Sequence, residues 1–198
     1  MTRVAGAAPR KRCAGSRDAN EQAMITIRPE LPADLATREA LLDVAYGEAR
    51  FTKPSERLRE RRAPALAFVA ADGARLIGTI RLWHVSAGAG RPALLLGPLA
   101  FHPDVQRRGI GACLIRRAIR EARRLGHGAV LLVGDGAYYG RFGFTAERTG
   151  ALRMPGPYAQ DRLLALEFAP GALDGAGGLI RAAMPARPTR SRSVARAA

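Results

Sequence analysis

Apolar and polar positions alternate in "MITIRP" (24–29), which predicts a strand over residues 24–28. In "PADLATREALLDVAYGE" (32–48) the spacing changes. Leu35, Ala40, Leu41, Val44 and Ala45 form a helical stripe, with Pro32 and Asp34 near its start. A second, short helix is expected over "PSERLRERR" (54–62), capped by Pro54 or Ser55. "ALAFVAA" (65–71) and "RLIGTIRLWHV" (75–85) are two strands joined at Asp72-Gly73, a two-residue hairpin signal. After the loop "GAGRP" (88–92), "ALLLGPLAF" (93–101) is nearly all apolar, so both of its faces should be buried. Proline cannot donate to a ladder, so Gly97-Pro98 marks a bulge or splay in that strand.

The main helix is expected over residues 109–125, with Ile110, Leu114, Ile115, Ala118, Ala122 and Leu125 as its buried stripe and Gly126 as its stop. "AVLLVG" (129–134) is another buried strand, and a helix between two apolar strands suggests a parallel βαβ unit. "AYYGRFGF" (137–144) is a short helix and turn into a late strand near Phe144, and "RLLALEFA" (162–169) is the last clear strand. The order β-α-α-β-β-β-α-β-α-β-β gives an α/β fold, a mixed sheet flanked by helices, in one domain over residues 24–181. Residues 1–23 have no apolar period and are expected to be a disordered leader, with Met24 as the true start; residues 182–198 are expected to be a disordered basic tail.

The net charge of +15 invites a nucleic-acid reading, but its distribution argues otherwise. Residues 1–23 carry 5 basic and 2 acidic groups, and residues 181–198 carry 5 and 0, so the ends hold about half of the excess. Only Lys11 and Lys53 among the 32 basic residues are lysines, which looks like a compositional bias rather than a basic binding face. No specific nucleic-acid partner is expected. No apolar run approaches the roughly 20 residues of a membrane span, and no secretory signal opens the chain, so a cytoplasmic protein is expected. Cys13 and Cys113 make neither a disulfide framework nor a zinc site; Cys113 falls in the main helix as a small buried hydrophobe. His84, His102 and His127 have no ligand spacing, so no metal is expected.

"FHPDVQRRGIGACL" (101–114) carries the candidate chemistry. An apolar strand ends at Phe101, the chain turns at Pro103, and a helix starts at Gly109. The first N–H groups of a helix have no partner within it, and its dipole adds roughly half a unit of positive charge there. Such an end binds phosphate. Gly109 and Gly111 allow close approach to the backbone, and Arg107 and Arg108 add charge beside it. A P-loop would need Lys-Ser/Thr where Ala112-Cys113 stand, and the dinucleotide fingerprint a third glycine where Leu114 stands. The alternative is a tight strand-to-helix turn whose glycines only ease packing.

In this context, Gln106-x-x-Gly109-x-Gly111 resembles the Q/R-x-x-G-x-G/A signature of the GNAT superfamily of acetyl-CoA-dependent N-acyltransferases. The likeness spans about residues 24–168, and "AYYGRFGF" is similar to a bacterial subgroup of uncharacterised predicted acetyltransferases. The resemblance implies a central twisted, mostly antiparallel sheet whose parallel fourth and fifth strands splay apart. It implies that acetyl-CoA is the co-substrate, its pyrophosphate held by the loop from Gln106 through Arg107, Arg108, Gly109, Ile110 and Gly111 to Ala112. The pantetheine arm would pair with backbone near Leu99, Ala100 and Phe101, with Arg141 either reaching a phosphate or fixing the turn around it. Members are often homodimers; the sequence itself is silent on assembly.

The implied reaction is direct acyl transfer to a primary amine of a small molecule or protein, which needs a neutral amine and a proton for the leaving thiolate. Tyr139 matches the tyrosine of Y-x-x-x-G-F that family members use as the acid; Tyr138 is one residue off and should point elsewhere. Many members carry a carboxylate base on or near the fourth strand, and none stands there in this chain. His102, Asp135 and Glu48 are the candidates, with a turn histidine, a helix cap and a pocket wall as their respective alternatives, and a water chain would also serve. The missing carboxylate keeps a second reading open, a catalytically weak acyl-CoA-binding regulatory module. Nucleic-acid binding through the basic ends is a third.

Overall fold

A computed structural model describes residues 25–88 and 90–184; the expected leader, the Met24 start and most of the basic tail lie outside them. The alternating N-terminal segment forms β1 (Ile25–Pro29), an edge strand paired antiparallel with β2 (Leu66–Asp72). The Asp72-Gly73 hairpin leads into β3 (Arg75–Ala87), which pairs antiparallel with β4 (Arg91–Phe101). Helix α2 (Ile110–Arg124) then crosses to β5 (Ala129–Val133), parallel to β4 as the βαβ pattern requires. A one-turn helix, α3 (Gly136–Gly140), precedes the short β6 (Leu152–Arg153), and β7 (Leu163–Glu167) lies antiparallel to β5. β8 (Gly178–Leu179) pairs with β6, and β9 (Arg181–Ala182) with β3. The main sheet runs β1-β2-β3-β4-β5-β7.

Both faces of the central strands are buried, as their unbroken apolar runs demand. Leu94 and Val130 face a core with Leu114, Ile115 and Ala118 of α2, while their neighbours Leu95 and Leu131 face a second core with Leu58, Leu152 and Ile180. No described helix is long and apolar enough to cross a membrane.

Five local expectations need correction. Leu125 is 50% exposed, because α2 closes at Arg124 and Leu125 is its cap before Gly126 turns the chain with a φ of 78°. Cys113 is half-buried on the flank of α2 and disulfide-bonded, not an isolated core thiol; Cys13 lies outside the described residues. The helix expected over 54–62 is reduced to one 3-10 turn, Glu56–Leu58, following another at Glu48–Thr52. Lys53, which precedes proline, is held extended between the two turns, and Arg61 is left-handed, so no continuous helix fits. Ala182, expected in the tail, is paired with Val85 in β9.

The fifth correction concerns α1 (Leu35–Tyr46), which buries Arg38, Leu41 and Leu42, while Leu35 and Val44 of the expected stripe are 51% and 58% exposed. The cause is an ion cluster. Glu30, just after β1, takes a bidentate grip from Arg81, with Nε at 2.9 Å and the second nitrogen on the other oxygen. Arg38 Nε stands 3.7 Å from the same carboxylate. These side chains are only 4–12% exposed, so the helix turns toward a charge rather than its apolar stripe. Glu30→Gln leaves Arg81 buried without its counter-charge and Arg38 with only the more exposed Glu39, and is expected to cost about 3–5 kcal/mol in urea denaturation. Adding Arg38→Met should recover part of that loss.

Candidate active site

β4 and β5 are paired through only two residues of each strand, Leu94 with Val130 and Leu95 with Leu131. β5 then continues along β7, and residues 96–101 of β4 have no strand on that side. The expected bulge lies at the point of parting: Leu82 pairs with Leu96 but Ile80 with Leu99, so Arg81 alone faces Gly97-Pro98. The Gly97–Pro98 peptide is cis, and Trp83 Nε1 donates to Gly97 O at 2.5 Å. His102 N donates to Ile77 O at 2.9 Å, which fixes the alternation of the ladder above it. Ala100, opposite Thr79, therefore turns its backbone groups to β3, while those of Leu99 and Phe101 turn into the gap. Consistent with this, the Tyr46 hydroxyl donates to Leu99 O from across the gap.

At the far end of β4 the chain makes a 3-10 turn, Pro103–Val105, and enters α2 through Arg107 and Gly109, both left-handed with φ of 64° and 75°. The first bond within the helix runs from Cys113 N to Gly109 O, so the N–H groups of Ile110, Gly111 and Ala112 have no intrahelical partner. These groups face a pocket of about 320 Å³ lined by Phe101, Val105, Arg107, Gly109–Ala112, Tyr138 and Arg141. Gln106 and Arg108 are outside the lining; both are exposed, and their N–H groups close the turn onto Pro103 O and Val105 O. A Cβ at Gly111 would stand 3.0 Å from the Tyr138 hydroxyl and 3.2 Å from the Phe101 ring, so this glycine keeps the pocket open. Arg141 lies over the Tyr138 ring at 4.6 Å and donates to Tyr138 O at 3.2 Å, fixing the turn and lining the pocket at once.

The two tyrosines diverge as their spacing on a one-turn helix requires. Their rings meet edge to face at 5.0 Å, with Tyr138 over the pocket and Tyr139 half-buried against Phe144. Gly134 makes room for Tyr139: a Cβ there would lie 2.3 Å from the ring. The Tyr139 hydroxyl has no hydrogen bond among the described residues. Burial, then the nearby Tyr46 and Tyr138, raise its pKa well above the ordinary tyrosine value, against a smaller opposing pull from Arg162. The group is a protonated phenol throughout the physiological range.

The three base candidates are placed apart from one another. Asp135 caps α3, accepting from Tyr138 N at 2.6 Å. His102 caps the 3-10 turn, its Nδ1 accepting from Asp104 N at 3.4 Å and standing 3.2 Å from the Asp104 carboxylate. Glu48 is exposed at the start of its turn and makes no ion pair among the described residues. Sequence reasoning missed Tyr46, whose burial raises its pKa, and Arg59, 7% exposed beside the bulge. Neither stands in a local pattern that could have found it. Among the described residues no group of three His, Cys, Asp or Glu is placed to hold a metal ion.

Known proteins resemble this chain in sequence and in fold. The sequence profile of the acetyltransferase (GNAT) family matches residues 35–144. The uncharacterised N-acetyltransferase YhbS of Escherichia coli K12 is 29% identical over 156 residues, 78% of this chain and 93% of YhbS. The crystal structure of Escherichia coli YhbS in complex with CoA aligns with a TM-score of 0.72 at 27% identity, covering 84% of this chain and 94% of that one. A GNAT family acetyltransferase from Brucella melitensis in complex with acetyl-CoA aligns with a TM-score of 0.60 at 29% identity, covering 75% and 91%. With the family profile spanning more than half of its length, the protein belongs to the acetyltransferase (GNAT) family.

Proposed function

We propose that the enzyme transfers an acetyl group from acetyl-CoA directly to a primary amine of a small molecule or protein. The observation that carries this reading is the pairing of a cationic, glycine-lined helix start with an open strand edge leading away from it. The pocket at α2 offers three unpaired N–H groups with Arg107 and Arg141 beside them, a fit for a pyrophosphate. The inward backbone of Phe101 and Leu99 fits an extended amide-bearing arm laid along β4. The complexes of Escherichia coli YhbS with CoA and of the Brucella melitensis acetyltransferase with acetyl-CoA support the same ligand here.

Acetyl-CoA supplies the activated thioester. A backbone N–H in the gap polarises the acetyl carbonyl, with Leu99 turned the right way. The neutral amine attacks that carbon, the C–N bond forms and the C–S bond breaks. Tyr139 gives its proton to the departing sulfur, and the nitrogen releases one to water. The raised pKa of Tyr139 suits a donor, since a phenolate has no proton to give.

Acetyl-CoA titrated calorimetrically is expected to bind the parent protein. In Gly109→Glu, a carboxylate at the helix start and a side chain at a left-handed position should lower affinity by about tenfold or more. Absence of binding to the parent would overturn the reading. Tyr139→Phe is expected to keep acetyl-CoA affinity while kcat falls about a hundredfold, within the range of general acid catalysis. Because its pKa is raised, the acid form of Tyr139 persists as pH rises through the ordinary tyrosine range. No fall in kcat from loss of this proton is therefore expected below about pH 10 in the parent. Unchanged turnover in Tyr139→Phe would remove the phenol from the mechanism, and bound acetyl-CoA without turnover of any amine would leave a binding module.

A further inference from the structure

The inner end of the gap is surrounded by cations that the chemistry above does not use. Arg59 is 7% exposed, with Nε bonded to Ser55 O at 3.1 Å and Nη2 to Glu56 Oε2 at 2.6 Å. Its Nη1 has no partner among the described residues and lies beside the bulge, 3.9 Å from where a Cβ on Gly97 would stand. Lys53 Nζ sits 3.8 Å over the ring of Tyr46, the residue that reaches Leu99 O. Arg162 Nε donates to Gly134 O at 3.4 Å, behind the Tyr139 ring. Lys53 and Arg162 form no ion pair with any described carboxylate. Burial and the charges of Arg59 and Arg162 push the Lys53 ammonium down from its ordinary value, so the three cations act on one another as neighbours.

We infer that the acceptor amine also carries an oxyanion, a carboxylate or a phosphate, held by Arg59 in the wall with Lys53 and Arg162 at the rim. This rests on the gap being the acyl-transfer site. An acceptor with an amine alone arrives mainly as an ammonium and is repelled by three cations, of which Arg59 alone has a carboxylate partner among the described residues, Glu56. An oxyanion on the same molecule reverses that sign, and the free Nη1 of Arg59 supplies a fixed, charge-assisted donor for it. The same field favours loss of the ammonium proton, which suits a site where Asp135 is committed to a helix cap. In the transfer the oxyanion takes no part: C–N forms, C–S breaks, the Tyr139 proton goes to sulfur and the amine proton to water.

The test uses full-length protein saturated with CoA, so that the phosphate pocket is filled and no turnover occurs. β-Alanine and phosphoethanolamine are titrated calorimetrically against their uncharged twins, β-alaninamide and ethanolamine. At least one oxyanionic amine is expected to bind about tenfold more tightly than its twin, and which one does so separates carboxylate from phosphate. Lys53→Gln with Arg162→Gln, both at exposed positions, should cut that preference to below about threefold, and Arg59→Lys should weaken it further. Equal affinity within both pairs, no binding of either oxyanionic amine, or a preference that survives the Lys53/Arg162 change would each overturn the inference. Binding of acetyl-CoA itself, measured separately, decides the underlying reading, so the two fail independently.

Discussion

The early parting of β4 from β5 is the constraint on which the rest depends. Parallel strands buried on both faces normally continue their ladder, because unpaired backbone groups in an interior are costly. Here the ladder stops after two residues of each strand. Two features make that tolerable. The bulge at Gly97-Pro98 turns β4 away while its pairing to β3 resumes at Leu99, and β5 keeps a full partner in β7. The groups left over are satisfied in part by Tyr46, and the remainder are available to a ligand that pairs as a strand would. The site is thus a sheet with one strand's worth of hydrogen bonding left open, and α2 begins where that opening ends.

Charge organises the surroundings at two scales. Glu30 holds Arg38 and Arg81 in a compact, nearly buried cluster that sets the rotation of α1. Arg81 is also the residue opposite the bulge, so the same cluster braces the point where the strands part. By contrast, Arg107, Arg141, Lys53 and Arg162 carry no carboxylate partner among the described residues, and they lie along the gap from one end to the other. Paired cations build the wall, and unpaired ones face the opening.

Much of this was legible because the signals were local. Alternation and unbroken apolar runs marked the strands, Gly97-Pro98 marked the bulge, and the glycines of "QRRGIG" marked the helix start. What was not legible depends on partners distant in sequence. Arg38 in the middle of a helix reads as a solvated residue until Glu30 and Arg81 surround it. Tyr46 and Leu99 are 53 residues apart, and nothing at either position announces the other. The helix over 54–62 had the right composition, but Pro54 and the left-handed Arg61 broke the segment, and Arg59 was drawn inward to the bulge. Within the loop itself the pattern could not separate Gln106 and Arg108, which close the turn, from Arg107, which lines the pocket.

Tyr138 and Tyr139 sit side by side on one helical turn, one over the pocket at the start of α2 and the other against Gly134 at the parting strands. That turn is short, capped by Asp135 at one end and tied by Arg141 at the other. It therefore joins the two rings in one piece, Tyr138 lining the pocket and Tyr139 packed beside it at 5.0 Å. In the proposed reaction, the phosphates of a bound thioester, far from the bond being broken, would rest against the same turn that presents the proton. Binding energy gathered at one end of the molecule would then help to hold the geometry at the other.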